Sequence, residues 1–146
     1  MRIPHKAWIV VGDGERALFM ENRGDPDHPD FHVLRTMEHE NPPTRDQGTD
    51  QPGRYNDGPN VHRSAVEETD WHQIEKDRFA HEIAERLYKA AHRGDYDSLV
   101  IVAPPRVLGE LRSTIHVEVA DRIVGTVDKT LTGHPIDKIE NLLTRD

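Results

Sequence analysis

The sequence predicts an α/β domain with a mixed five-stranded sheet in the order 3-2-1-4-5 and helices on its faces. Two short apolar runs, Ala7–Val11 and Ser98–Ala103, have the pattern of strands buried on both faces. A long amphipathic stretch, Asp70–Arg93, has the spacing of a helix that lies between them. With 146 residues, the chain is long enough for one core, so we predict a single domain over residues 1–146.

Residues 1–38 predict a three-stranded antiparallel meander. Asp13-Gly14 follows the first apolar run and is typical of a hairpin turn into a second strand, Arg16–Asn22. Residues 23–30 are rich in Gly, Pro and Asp, which favour a second turn. Phe31–Glu38 alternates apolar with polar residues and is predicted as a third, more exposed strand.

A long polar segment follows, at about residues 39–69. It is rich in turn-forming residues, namely Pro42, Pro43, Gly48, Pro52, Gly53, Gly58 and Pro59. Loops longer than about 12–15 residues are uncommon in compact domains and are usually functional or disordered. The segment is therefore either a solvated, mobile excursion or a recognition loop. In a recognition loop, arginines would act as bidentate donors to carboxylate or phosphate, and the candidate binding residues are Arg45, Gln47, Asp50, Gly53, Arg54 and Arg63.

The remaining elements complete the order βββαβαβα. Asp70 and Gln73 predict a capping box at the start of the first helix, and Gly94 suits the left-handed position after its end. Its predicted buried stripe comprises Trp71, Ile74, Phe79, Ala80, Ile83, Ala84, Leu87, Tyr88 and Ala91. A second helix from Pro105, a strand at Ile123–Val127 and a helix at Pro135–Leu143 follow. Right-handed crossovers then favour the stated sheet order, an architecture found among the ribonuclease H-like folds.

Composition restricts the classes of partner. Lys and Arg total 19 against 27 for Asp and Glu, a net charge of −8, which argues against non-specific nucleic-acid binding, and we expect no DNA partner. The chain has no cysteine, so disulfides and thiolate chemistry are excluded. No signal-peptide core or membrane-spanning apolar run is visible, so we expect a cytoplasmic protein without membrane contact.

The sequence argues against a metal site. A two-metal nuclease on this architecture needs clustered carboxylates. Asp13 follows the first strand, but Ala103-Pro104-Pro105 offers no acid at the end of the fourth. His81-Glu82 lacks the second histidine of a zinc-protease helix. We expect neither a metal nor another cofactor.

Arg106 marks a candidate anion site. The helix that begins near Pro105 starts at the carboxyl end of a central strand, where free backbone N–H groups can hold a phosphate or another anion. No Gly-rich phosphate loop precedes it, and the alternative is that Arg106 is simply a solvated charge.

Several segments together resemble the bacterial host attachment protein family. They run in the family's order and cover nearly the whole chain: Trp8–Ala17, Asp50–Arg54, Asp77–Ala80, Ile83–Leu87, Leu99–Pro105, Leu108–Arg112 and Lys129–Thr132. That family is similar to the middle domain of archaeal and eukaryotic class I peptide-release factors, which carries a Gly-Gly-Gln motif in a loop before its long helix. The resemblance implies the same mixed-sheet fold and a cytoplasmic factor that docks on the ribosome or on a tRNA-like partner through residues 41–69 and the following helix.

The motif itself is absent, which favours a non-catalytic role. The corresponding loop holds Asp46-Gln47-Gly48 and Asp50–Arg54 instead. Two alternatives stay open. One is an esterase resembling peptidyl-tRNA hydrolases, in which Gln47 or Asp50 places water. The other is a protein-interaction factor that affects bacterial attachment to host cells.

Overall fold

The computed structural model describes residues 1–39 and 58–145, and between 58 and 69 it describes the backbone alone. The described part contains five strands and four helices. The strands are β1 (Trp8–Gly12), β2 (Arg16–Asn22), β3 (Phe31–Glu38), β4 (Leu99–Val102) and β5 (Ile123–Val127). The helices are α1 (Gly58–Arg93), α2 (Pro105–Thr114), α3 (Val117–Ala120) and α4 (Ile136–Thr144).

The sheet has the predicted order, β3-β2-β1-β4-β5. β1 pairs antiparallel with β2, and β2 with β3, as the hairpin turns require. β4 lies parallel between β1 and β5. The predicted α/β class, topology and three-stranded meander are therefore confirmed, and the carboxyl ends of β1 and β4 meet at one edge of the sheet.

The two faces of the sheet carry separate apolar layers because successive side chains of a strand point to opposite sides. Val10 and Ile101 face the layer formed with α1, α2 and α3. Ile9 and Val100 face the layer that contains Ile139 of α4. β1 and β4 are thus covered on both sides, as their continuous apolar runs predict.

Helix α1 is longer than the sequence suggests. It begins at Gly58 and comprises 36 residues, so the prediction of a polar loop at about 39–69 followed by a helix from Asp70 is wrong for residues 58–69. After Pro59, which the first turn of a helix tolerates, the chain contains no Gly or Pro until Gly94. Low apolar content alone does not prevent a helix, because Glu, Arg, Gln and Ala all have high helix propensity.

The predicted capping box and part of the predicted stripe are wrong as a consequence. Asp70 lies inside α1, and the Gln73 side chain donates to Asp77 Oδ1 at 2.9 Å instead of capping a helix start. Trp71 and Ile74 are 44% and 52% exposed, whereas Phe79 is fully buried. Only the part of α1 from Glu75 onward packs its described side chains against the sheet.

The end of α1 is as predicted. Gly94 has a φ of 79°, the left-handed conformation that glycine adopts without a steric cost. Its N–H donates to the Ala91 carbonyl, and the Asp95 N–H donates to the Ala90 carbonyl, both at 2.9 Å. These two bonds form a Schellman motif, which fixes the direction in which the chain enters β4.

The single-turn helix α3 was not predicted. His116 caps it, since His116 Nδ1 accepts a 3.0 Å hydrogen bond from the Glu118 N–H. Within the described ranges, none of the helices has both the length and the apolarity to cross a membrane.

Candidate functional site

A cleft of about 380 Å³ opens where β1 and β4 end, between the β1–β2 turn, α1 and the start of α2. Ligands of α/β sheets commonly bind at the carboxyl ends of parallel strands, so this position is favourable for a site. Charged side chains line most of it. The acids are Asp13, Glu15, Asp77 and Glu110, and the bases are Lys76 and Arg106.

Asp13 is held firmly at the edge of the cleft. Its Oδ1 accepts hydrogen bonds from the Glu15 and Arg16 N–H groups at 2.7 and 2.8 Å, which closes the β1–β2 turn. Its Oδ2 accepts a 2.6 Å hydrogen bond from the Thr132 hydroxyl. Partial burial acts to raise the pKa of Asp13, but these hydrogen bonds and the charge of Arg16 outweigh it and lower the pKa. Asp13 is therefore an ionised anchor of the turn, in keeping with the turn role that its sequence position suggests.

Two other acids of the cleft are also engaged. Asp77 accepts the hydrogen bond from Gln73 within α1. Glu110 of α2 lies 2.9 Å from His81 Nε2 of α1, and this contact ties the two helices together beside the cleft. These contacts hold the carboxylates in place, but hydrogen bonds from neutral donors do not remove their negative charge.

The two bases of the cleft, Lys76 and Arg106, differ from the acids in their contacts. Lys76 lies against the β1–β2 turn, where a Cβ atom on Gly14 would come within 2.7 Å of Lys76 Cγ, so a larger residue at position 14 would displace the Lys76 side chain. Arg106 lies in the first turn of α2, whose start has no side-chain cap. In the part of the chain that the structure describes, neither base forms an ion pair or a side-chain hydrogen bond. The cleft therefore holds two cations and a helix start beside four carboxylates, so an anionic group fits only at Lys76 and Arg106, clear of the acids.

A buried pair lies at the end of β3, directly before residue 40. His39 Nε2 lies 2.6 Å from Glu75 Oε2, and the two side chains are only 8% and 6% exposed. The His39 ring also meets the Phe79 ring edge-on, with the centroids 5.6 Å apart. Glu75 Oε1 lies 3.2 Å from Arg78 Nη1, but the angles do not make a hydrogen bond, and no other described group donates to it. This pair joins α1 to the end of β3, immediately before residues 40–57 in the sequence.

The residues proposed from the sequence fall into three groups. Arg45, Gln47, Asp50, Gly53 and Arg54 lie outside the described residues. Arg63 belongs to α1, which corrects its assignment to a loop. Arg106 lines the cleft, at the helix start where the sequence placed it.

Sequence reasoning missed Lys76 and His39, and it considered Glu75 only as a carboxylate on the first helix, not as a buried partner of His39. Glu75 precedes Phe79 by one helical turn, so the periodicity of α1 already places it on the buried side. No local signal identifies Lys76 or pairs His39 with Glu75, since both contacts depend on how α1 lies on the sheet. Among the described residues, no group of three or more His, Asp or Glu side chains is arranged to hold a metal ion.

Comparison with solved structures finds a similarity to an archaeal translation termination factor, aRF1. The TM-score is 0.48 at 11% sequence identity, and the match covers 82% of this chain and 29% of that chain. This chain thus spans less than a third of the length of that factor. No curated protein matches the sequence.

The family model described as bacterial archaeo-eukaryotic release factor family 12 matches residues 6–143. That description agrees with the release-factor part of the sequence resemblance, whereas the host attachment name is not supported. The match begins just before β1, ends within α4 and includes the cleft and the whole of α1. The chain therefore belongs to bacterial archaeo-eukaryotic release factor family 12.

Proposed function

We propose that this protein is a translation-associated factor that docks on the ribosome or on a tRNA-like partner. The docking elements are residues 41–69 and the first half of α1, and the contact residues are Arg45, Gln47, Asp50, Gly53, Arg54 and Arg63. Membership of a release-factor family supports the link to translation. It does not by itself identify the partner, so the choice of ribosome or tRNA is our inference.

The shape of α1 is the observation that carries the proposal. A helix of 36 residues is about 54 Å long at 1.5 Å per residue. Its buried side chains, among those described, begin only at Glu75. Residues 70–74 precede that point and include the exposed pair Trp71 and Ile74. Contiguous apolar patches surrounded by polar residues mark contact surfaces, and we infer that Trp71 and Ile74, three residues apart on the helix, belong to such a patch.

The cleft beside α1 also supports docking on a partner that contains RNA. Lys76 and Arg106 line it without an ion-pair partner among the described side chains. RNA carries one phosphate per nucleotide, and Arg and Lys are the side chains that bind phosphate best. Arg106 is accordingly our proposed anion contact, next to the helix that carries the docking surface.

The test is sedimentation of a cell lysate through a sucrose gradient at low and moderate salt, with detection of this protein in each fraction. We expect the wild type to migrate with ribosomal particles and Arg54→Ala to shift toward the top of the gradient. Lys138→Ala is the matched control, because Lys138 is an exposed cation on α4, on the opposite face of the sheet. Recovery of the wild type only at the top at both salt concentrations would overturn the proposal.

A hydrolytic version of this function has one specific structural requirement. Gln47 or Asp50 would place the water, and a base would have to lie within reach of it. His39 is the described histidine nearest to that segment in the chain, but its Nε2 already contacts Glu75 and its side chain is buried. Peptidyl-tRNA turnover that survives unchanged in the Gln47→Ala, Asp50→Ala double variant would rule out this assignment of the two residues.

A further inference from the structure

A basic groove of about 440 Å³ lies between β3 and the second half of α1. We define the basic groove by its four cationic residues, Arg35, Arg86, Lys89 and Arg93, and by its apolar floor, formed mainly by Trp8, Phe19 and Leu34. Among the residues that the structure describes, no acid lines it. This concentration of positive charge is unexpected in a chain of net charge −8.

Two of the four cations are available for a ligand. Lys89 lies 3.2 Å from Glu85, and Arg93 donates to Asp95 at 2.9 and 3.1 Å. Arg35 and Arg86 are exposed, and no acid in the described part of the chain pairs with either. Arg35 projects from β3 and Arg86 from α1, so the two free guanidinium groups approach the basic groove from its two walls.

The floor of the basic groove is aromatic and held in place. Trp8 stacks on Tyr96, with ring centroids 4.8 Å apart and planes at 29°, and meets the edge of Phe19 at 6.4 Å. The Tyr96 hydroxyl donates to the Leu87 carbonyl at 2.7 Å, which fixes the stack. Leu34 remains 40% exposed beside it. A rigid apolar floor below free arginines fits a ligand that has flat, apolar parts as well as negative charge.

We propose that the basic groove binds a single strand of RNA, with its phosphates at Arg35 and Arg86 and a base over the Trp8 side of the floor. Proteins that bind single strands combine such a positive groove with aromatic platforms on which bases stack. A duplex would present phosphates alone and leave the apolar floor uncovered. This inference names the kind of partner surface for the proposed translation role, and it rests on that role for the choice of RNA.

A neighbouring acidic depression sets the limit of the site. Toward the end of β3, Glu38, Glu82 and Glu85 line a second hollow that shares Arg86 and Lys89 with the basic groove. Those carboxylates repel phosphate, so the strand must leave the basic groove at the opposite end, near Arg93. We therefore expect a short site that covers a few nucleotides.

The experiment measures binding of the purified chain to a fluorescein-labelled ten-nucleotide oligouridylate by anisotropy, at several salt concentrations. The test variant is Arg35→Gln with Arg86→Gln. Its matched control is Lys138→Gln with Arg145→Gln, an equal change of net charge at exposed residues on and just after α4. We expect the test variant to bind about tenfold more weakly than the wild type. The slope of the logarithm of the binding constant against the logarithm of the salt concentration should become shallower by about 1.4, which is about 0.7 for each of the two lost phosphate contacts. The control variant should bind as the wild type does.

The inference would be overturned by no binding of the oligouridylate to the wild type, by equal weakening in both double variants, or by equal affinity for an abasic strand of the same length and charge. Displacement of the strand by polyglutamate at equal charge concentration would also overturn it, in favour of an acidic protein partner. Because this assay contains no ribosomes, a lack of binding to the oligouridylate would contradict RNA binding in the basic groove but would not contradict the proposed docking on the ribosome. Conversely, binding of the oligouridylate without sedimentation with ribosomes would contradict the proposed docking on the ribosome and support RNA binding in the basic groove.

Discussion

Thr132 donates a 2.6 Å hydrogen bond to Asp13 Oδ2, and so joins the end of β1 to the segment before α4 across 119 residues of sequence. Asp13 uses its other oxygen to close the β1–β2 turn. One carboxylate thus holds together two segments at the same edge of the sheet, beside the cleft. This edge is consequently sensitive to the ionisation of Asp13.

Replacement of Thr132 by valine is expected to raise the pKa of Asp13 toward its ordinary value, because a hydrogen bond to the ionised form is lost. A lowered folded-state pKa stabilises the protein above the unfolded-state pKa, about 3.9, and that contribution disappears as the pH falls through the folded-state pKa. The free energy of unfolding of the variant should be about 0.5–1.5 kcal/mol lower than that of the wild type at pH 7. As the pH is lowered from about 5, that free energy should also decrease less in the variant than in the wild type. Urea unfolding at a series of pH values and NMR titration of the Asp13 carboxyl measure both effects.

Thr130→Val is the matched control for this prediction. Thr130 is exposed and lies in the same segment, two positions away. Its replacement should leave the Asp13 titration and the free energy of unfolding within about 0.5 kcal/mol of the wild type. A Thr132→Val protein with an unchanged Asp13 pKa would show that the hydrogen bond does not hold in solution.

The Glu75→Ala variant is expected to loosen the start of the packed part of α1. The change leaves buried His39 Nε2 without its 2.6 Å partner, and an unsatisfied buried polar group costs about 1–3 kcal/mol. Urea unfolding should show that loss. Amide hydrogen exchange should accelerate in α1 around residue 75 and at the end of β3 before it does so in β4.

Glu82→Ala provides the comparison on the same helix, since Glu82 is exposed and lies two helical turns further along. It should change the unfolding free energy by no more than about 0.5 kcal/mol. Equal losses in the two variants would mean that the effect comes from helix propensity rather than from the buried pair.

Phe79→Ala and Trp71→Ala test where α1 enters the core. Phe79 is fully buried, and truncation of a buried phenylalanine costs about 3–5 kcal/mol. Trp71 is 44% exposed, so its truncation should cost less than about 1 kcal/mol. Chemical denaturation of the two variants compares them directly. A loss of several kcal/mol in Trp71→Ala would show that this ring is covered by another part of the chain in solution.

The local pattern of the sequence determined most of the secondary structure. The apolar runs around Val10 and Ile101 identify the central strands, because a strand covered on both faces leaves no position for polar residues. Gly94 was correctly placed at the end of α1, since the Schellman motif requires a left-handed backbone there. The sheet order also follows, because the handedness of crossovers leaves few alternatives.

Of the candidate site, the sequence by itself determined Arg106 at the start of α2 and Asp13 in its turn, because backbone geometry dictates both positions. Tertiary structure alone decided the rest. Trp71 and Glu75 are one helical turn apart and lie on the same face of α1. Periodicity alone treats them alike, and only the tertiary structure shows where that face meets the sheet, which leaves Trp71 exposed and buries Glu75. The cleft and the basic groove likewise bring together side chains from strands and helices far apart in sequence. Periodicity describes the environment of one segment, whereas contacts between segments depend on how those segments pack.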